Sequence, residues 1–250
     1  MRKPTLRPLA FFVPTIVLSA LLVGCGAPAQ TPSDSALAKE QDVASTEVAP
    51  ETEPSNLEIV ESGYWIGEYG NTHYALIVEN PNAGWGAGNV QIHVIGKDAE
   101  GNTVKSETAY LNAIFASGKA AVCGTSYFDE GVKTVEFQLV NSKNMWEKTD
   151  ITQAEFDEKL HVDSVNESTD SLGDTTVSGD VTNDLTAEIS SSSVNVLFRG
   201  EDGSLLGGAS TYLNTLPAGS TAPYTVSLLS AAPAHASVEA YIDCGYLDVD

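Results

Sequence analysis

Four short blocks of this chain occur twice, in the same order and at nearly the same spacing. Thr108-Ala109-Tyr110-Leu111-Asn112 returns as Ser210-Thr211-Tyr212-Leu213-Asn214, and Val78-Glu79-Asn80 as Val181-Thr182-Asn183. Val90-x-Ile92-x-Val94-x-Gly96-x-Asp98 returns as Val194-x-Val196-x-Phe198-x-Gly200-x-Asp202, and Thr134-Val135-Glu136 as Ser237-Val238-Glu239. The offsets run from 102 to 104 residues. Four ordered matches at one offset mean a domain-sized unit used twice, so any fold must be one that a chain of about a hundred residues closes on its own.

The patterning inside the repeat has period two. Tyr74, Leu76 and Val78 alternate with His73, Ala75 and Ile77, and Val90, Ile92 and Val94 with Gln91, His93 and Ile95. Turn signals break the runs; in Lys97 to Asn102, Gly101 and Asn102 are suited to positive φ. Short alternating runs at this spacing predict antiparallel β-sandwiches. The fold class is therefore all-β, with two tandem small antiparallel sandwiches over 57–145 and 160–250. Between them, 146–159 reads as a connector with a short helix. Thr152-Gln153-Ala154-Glu155 has capping-box spacing, and Phe156 and Leu160 lie on one side of the helix it would start.

The first 56 residues follow another logic. Arg2, Lys3 and Arg7 precede an uncharged apolar run from Leu9 to Val23. That run suits a signal peptide and is short of the ~20 residues a membrane span needs. It ends in Leu22-Val23-Gly24-Cys25, which resembles a bacterial lipobox. The resemblance implies that residues 1–24 are removed and that Cys25 is lipidated, becoming the first residue and the anchor. A diacylglycerol supplies the two acyl chains that stable anchoring takes. Residues 26–56 hold four prolines, six acids, one lysine and no aromatic. Such a segment cannot bury enough apolar area to offset its ordering entropy and reads, with Cys25, as a disordered acidic tether over 25–56.

The formal net charge is −22, and three of the twelve basic residues lie in the leader. A chain this acidic repels phosphate backbones, which excludes nucleic acid as a partner and favours a soluble monomer. No Gly-x-Ser-x-Gly, His-x-x-x-His or Cys-x-x-Cys occurs, and the four histidines do not match between the copies. The chain reads as no enzyme and as using no cofactor. His73 and His93 share the non-core parity of neighbouring segments, but two solvated strand histidines are the simpler reading than a metal site. Asp163 to Asp170 is rich in oxygen ligands, yet it lacks the spacing and the glycine of a calcium loop and reads as an acidic solvated loop.

With Cys25 lipidated, Cys123 and Cys244 remain. They are not equivalent in the repeat, so a disulfide would have to join the two sandwiches; two unpaired thiols are the other possibility. The parity of Cys123, opposite to that of Val122, suggests an outward position. Aromatics cluster among glycines in the first copy only. Tyr64 and Trp65 lie between Gly63 and Gly67, and Trp85 between Gly84 and Gly86, in what reads as a loop. Such rings are suited to stacking on a sugar or a peptide, so Trp85, Trp65 and Tyr64 are the candidate ligand contacts.

The repeated unit resembles the FxLYD-type domain of bacterial surface lipoproteins. The matching residues are Val177 to Asn183, the hairpin Gly200 to Gly203, Tyr212-Leu213, and Leu216-Pro217-Ala218-Gly219 leading into Tyr224. The first copy is more divergent: Ile114 to Gly118 lacks the proline, while Val78-Glu79-Asn80 and Tyr110-Leu111 are kept. The resemblance implies a small β-sandwich at the cell surface and carries over no catalytic residue. Asn80 and Asn183 should bond the loops after their strands, and Tyr110 and Tyr212 should close sandwich edges. Together these readings predict a surface lipoprotein, held to the cell membrane through Cys25 on its extracellular or periplasmic face. It would act as a non-enzymatic binding module for a glycan, a peptide or an envelope protein. A structural or stress-protective envelope component without a discrete ligand is the alternative, and a small hydrolase a remote one.

Overall fold

Alternation builds strands in both copies, and the computed structural model describes them over residues 53–67, 70–128 and 131–245. The leader, Cys25 and the tether as far as residue 52 lie outside the described residues. The first copy contributes β1 (Glu58–Ile66), β2 (Asn71–Asn80), β3 (Trp85–Lys97), β4 (Thr103–Ile114), β5 (Gly118–Tyr127), β6 (Thr134–Val140) and β7 (Trp146–Lys148). The helix α1 (Gln153–Lys159) follows. The second contributes β8 (Leu160–Val162), β9 (Asn166–Thr169), β10 (Thr175–Asn183), β11 (Ser192–Arg199), β12 (Leu205–Leu213), β13 (Ser220–Ser227) and β14 (Ser237–Cys244).

All strand pairs are antiparallel, and they make four sheets. Sheet I runs β1-β2-β5, and sheet II runs β4-β3-β6 with β7 also on β3. Sheet III runs β12-β11-β14, and sheet IV runs β13-β10-β8 with β9 also on β10. The protein is all-β, and each copy of the repeat is a sandwich. Leu76 and Val78 of sheet I meet Val90, Ile92 and Leu111 of sheet II in one core. Val177 and Val181 of sheet IV meet Val194, Val196 and Phe198 of sheet III in the other. The segment read as an acidic loop, Asp163 to Asp170, contains β9, because its backbone pairs with β10 while its side chains stay in solvent.

The repeated residues do the same work in both halves. Asn80 donates through Nδ2 to the carbonyls of Trp85 (2.7 Å) and Phe115 (2.9 Å) and accepts from the Asn82 amide (3.0 Å). Asn183 donates to Ala187 (2.9 Å), Leu216 (3.1 Å) and Pro217 (3.2 Å) and accepts from the Leu185 amide (3.0 Å). Each buried amide thus satisfies loop backbone that water cannot reach. Asp98 and Asp202 accept side-chain hydrogen bonds from Asn102 and Ser204, and backbone N–H bonds across their hairpins, which together hold both carboxyls below their usual range. Gly101 and Gly203 take the positive φ those turns need; Asn102 instead donates its side-chain amide to Asp98.

The face of sheet I away from its own core is covered too. Ala75, Ile77, Ala121 and Cys123 pack against Leu197 and Leu205 of sheet III in a third cluster. The layers therefore stack in the order II, I, III, IV, and nine of the ten residues of β2 are buried. Two glycines allow this approach. A Cβ on Gly63 would collide with the Leu205 carbonyl oxygen, and one on Gly208 would lie 2.8 Å from Cys123 Sγ. Arg199 clamps the junction, donating to Glu61 of β1 (2.6 Å) and to Glu239 of β14 (2.8 Å). The described residues fall in one compact unit.

Helix α1 is knitted into this unit. Thr152 and Glu155 form the expected capping box. Phe156 stacks on Phe115 at 4.3 Å, and Gln153 accepts from the Phe115 amide at 2.9 Å. The first part of the predicted connector, Trp146–Lys148, is β7 and lengthens sheet II.

Candidate functional site

Trp85 begins β3 and does not sit in a loop. Gly86 and Ala87 after it are buried, so this run can pair as a strand beside β7. Trp85 lies opposite Lys148 and Ala87 opposite Trp146, which places Trp85 and Trp146 as diagonal neighbours on one face of the ribbon. Lys148 Nζ stands 5.2 Å from the Trp85 ring centroid, within cation–π range. The Asn80 bond to the Trp85 carbonyl fixes the strand at this point.

Both indoles open on a cleft of about 320 Å³, whose other walls come from Glu53, Pro54, Asn141 and Lys143. The incoming chain is pinned at its edge. Ser55 and Asn82 exchange two hydrogen bonds of 2.7 and 2.8 Å, and the Leu57 amide donates to Asn141 at 3.0 Å. The cleft thus sits where the folded part joins the preceding segment. Two half-buried indoles beside a lysine and amide groups suit a ligand with both apolar and hydrogen-bonding faces. Trp146 escapes sequence reading because it falls in a short segment without periodicity.

Tyr64 and Trp65 do not join Trp85. As neighbours on β1 they face opposite ways. Tyr64 packs edge-on to Phe137 inside the first sandwich, with ring centroids 6.5 Å apart. Trp65 turns to the second sandwich, stacked on His73 at 4.6 Å and edge-on to Phe198 at 5.7 Å. It is part of the junction between the sandwiches.

His73 and His93 lie in different sheets. His73 is fully buried, and desolvation pushes it down to about 4, so it is neutral. Asn71 Nδ2 lies 2.8 Å from its Nε2 and can only donate, so Nδ1 carries the proton and donates to Thr125 Oγ1 at 3.1 Å.

Cys123 and Cys244 are both buried free thiols. Cys123 is not outward: its face of sheet I is the one the second sandwich covers. Cys244 belongs to the core of the second sandwich. Burial raises both, Cys244 to about 12. Beside Cys244, Asp243 is 6% exposed and accepts from Asn112 Nδ2 (2.8 Å) and from the amides of Asn112 (3.1 Å) and Ala113 (3.3 Å). Burial outweighs these bonds and pushes the carboxyl up to about 7.

The fold and site define an all-β, two-sandwich protein with one indole-lined cleft described on its first half. Among the described residues no helix is long and apolar enough to cross a membrane. No protein family and no curated protein matches the chain. Among solved structures, a calcium-binding mutant of Bacteroides uniformis beta-glucuronidase 2 aligns over 69% of this chain and 23% of that one, with 14% identity and a TM-score of 0.22. The C-terminal globular domain of an oligosaccharyltransferase from Pyrococcus abyssi aligns over 70% of this chain and 40% of that one, with 13% identity and a TM-score of 0.20. The chain spans less than half the length of either, and scores this low bear on neither fold nor function.

Proposed function

We propose that this chain is a bacterial surface lipoprotein, anchored by lipid on Cys25, whose two FxLYD-like sandwiches form a non-enzymatic binding module. The leader and lipobox support the address. The observation that carries the binding role is the cleft of Trp85 and Trp146, which collects two half-buried indoles beside Lys143. Its place beside Glu53 and Pro54 puts the contact near the end of the tether. A glycan or a peptide segment of an envelope protein is the natural ligand class.

A glycan and peptide array probed with the wild-type protein and with Trp85→Ala tests the reading. We expect binding that the substitution weakens at least tenfold, the loss of one well-packed aromatic anchor. Equal binding by both, or none by either, removes the cleft as the contact. The anchor is tested separately by fatty-acid labelling of cells carrying Cys25→Ala, which should abolish lipid uptake.

A further inference from the structure

A second recess, of about 300 Å³, lies at the junction of the two sandwiches. We propose that it is a binding site for a neutral saccharide of one or two rings, independent of the indole cleft. The two copies of the repeat build it together: Thr108 and Tyr110 of β4 line it, and so do their counterparts Ser210 and Tyr212 of β12. Its floor is the face of sheet III turned away from that sheet's own core. There Tyr212, Ser193 and Asp243 stand in one cross-strand row, and Ser210 and Asn195 in the next. Farther along the same face Leu197 is packed under sheet I. The face is apolar where protein covers it and polar where the recess begins.

Two of the floor groups are more than nine-tenths buried, Asn195 at 3% exposure and Asp243 at 6%. Burying such groups is costly unless their hydrogen bonds are met. Asn195 Oδ1 accepts from the Cys123 amide at 2.9 Å, which fixes the side chain. Its NH2 has no partner among the described residues and remains as a donor on the floor of the recess. The two Asp243 oxygens already take two N–H contacts each, so the acceptors left to a ligand are the hydroxyls of Thr108, Thr125, Ser193 and Ser210, which both donate and accept.

This inventory selects the ligand. No lysine, arginine or histidine lines the recess, so an anion would find no charge partner there. A bare ammonium ion offers donors only and would leave the Asn195 donor unmet. A polyhydroxylated neutral ligand offers both. The rim adds two tyrosine rings, Tyr110 at 56% and Tyr212 at 88% exposure, whose faces suit the C–H face of a pyranose. The volume is at the lower end of small-molecule sites, room for one or two rings.

Ligand-observed NMR on the full-length protein tests this. The probes are glucose, galactose, N-acetylglucosamine, maltose and cellobiose, with glucuronate as an anionic and spermidine as a cationic control. We expect at least one neutral sugar to bind. Tyr212→Ala should weaken it roughly five- to tenfold, one lost stacking contact. Ser210→Trp, at an exposed position, should fill the recess and abolish binding without lowering the melting temperature. Trp85→Ala should leave this binding unchanged, so failure here and failure of the cleft are separately visible. The proposal is overturned if no neutral sugar binds, if spermidine or glucuronate binds more tightly, or if Ser210→Trp binds as well as wild type.

Discussion

Asp243, on the last strand of the second sandwich, accepts a 2.8 Å hydrogen bond from the side-chain amide of Asn112 on the fourth strand of the first. The two sandwiches are therefore joined through a carboxyl group that burial pushes from its usual 3.8 to about 7. Tyr74 and Cys123 line the same recess from sheet I, and Cys244 follows Asp243 in the chain; burial raises all three, so they stay neutral and add no charge beside Asp243. The folded state binds the Asp243 proton more tightly than the unfolded state does. Its contribution is whole below about 4 and is lost as pH rises towards 7, by up to about 1 kcal/mol per pH unit. His73 has the opposite sign. Its usual 6.5 falls to about 4, so its contribution is lost as pH falls through that window. Melting curves of wild type and Asp243→Asn isolate the first effect. The wild type should lead by more at pH 5 than at pH 8, and a gap independent of pH would rule the linkage out.

The two thiols should be inert in the folded protein. Both are buried and raised, and the thiolate is the reactive form. Iodoacetamide at pH 8 should modify neither Cys123 nor Cys244 under native conditions and both in denaturant, with mass spectrometry counting the adducts. A native sample that stays unlabelled in denaturant until reduced would mean a disulfide instead.

The strands, the duplication and the capped helix were legible because each depends on local pattern. The Asn80 and Asn183 loop bonds were also legible, as one residue type recurring at one strand end. The stacking of the sandwiches was not. Parity separates the two faces of β2 but not which face meets a second domain, so Cys123 read as outward. The signal lay in comparing the copies. His73, Ala75 and Ile77 correspond to Thr176, Ser178 and Asp180, and Leu197 corresponds to His93. Buried residues, apolar but for His73, stand in one copy, at the junction, where the other copy is polar and more open to solvent. The same comparison sets Trp85 apart, since Asn183 holds Ala187 where Asn80 holds Trp85. Trp146 and the Asn195–Asp243 floor depend on contacts between segments distant in sequence, which no local pattern encodes.

Asn80 and Asn183 should be equally unforgiving. Each meets two or three carbonyls and one amide that have little access to water, and leaving such groups unpaired costs about 1–3 kcal/mol apiece before partial relaxation. Alanine at either position should lower stability by ~2–4 kcal/mol in chemical denaturation. Aspartate should do no better, because it removes the donors and sets a carboxylate against carbonyl oxygens. Asn80→Ala should also loosen the backbone at Trp85 and weaken array binding, while Asn183→Ala should leave binding intact once the protein is folded. Recovery of stability by aspartate would show that shape, and not the amide donors, matters there.

Gly208 tests the junction itself. A methyl group at this position would meet the Val196 carbonyl oxygen, lie 2.8 Å from Cys123 Sγ and 3.2 Å from Ala75 Cβ. The first contact is with the neighbouring strand's own backbone and the others are with sheet I, so relief requires β12 to move. Overpacking of this kind costs about 1–3 kcal/mol. Gly208→Ala should therefore lower the melting temperature and, by opening the third cluster, let iodoacetamide reach Cys123. Cys244, in the separate core of the second sandwich, should stay protected. Labelling of both thiols at equal rates would mean that the second sandwich unfolds with the junction. Labelling of neither, at an unchanged melting temperature, would mean that the sandwiches do not meet at Gly208.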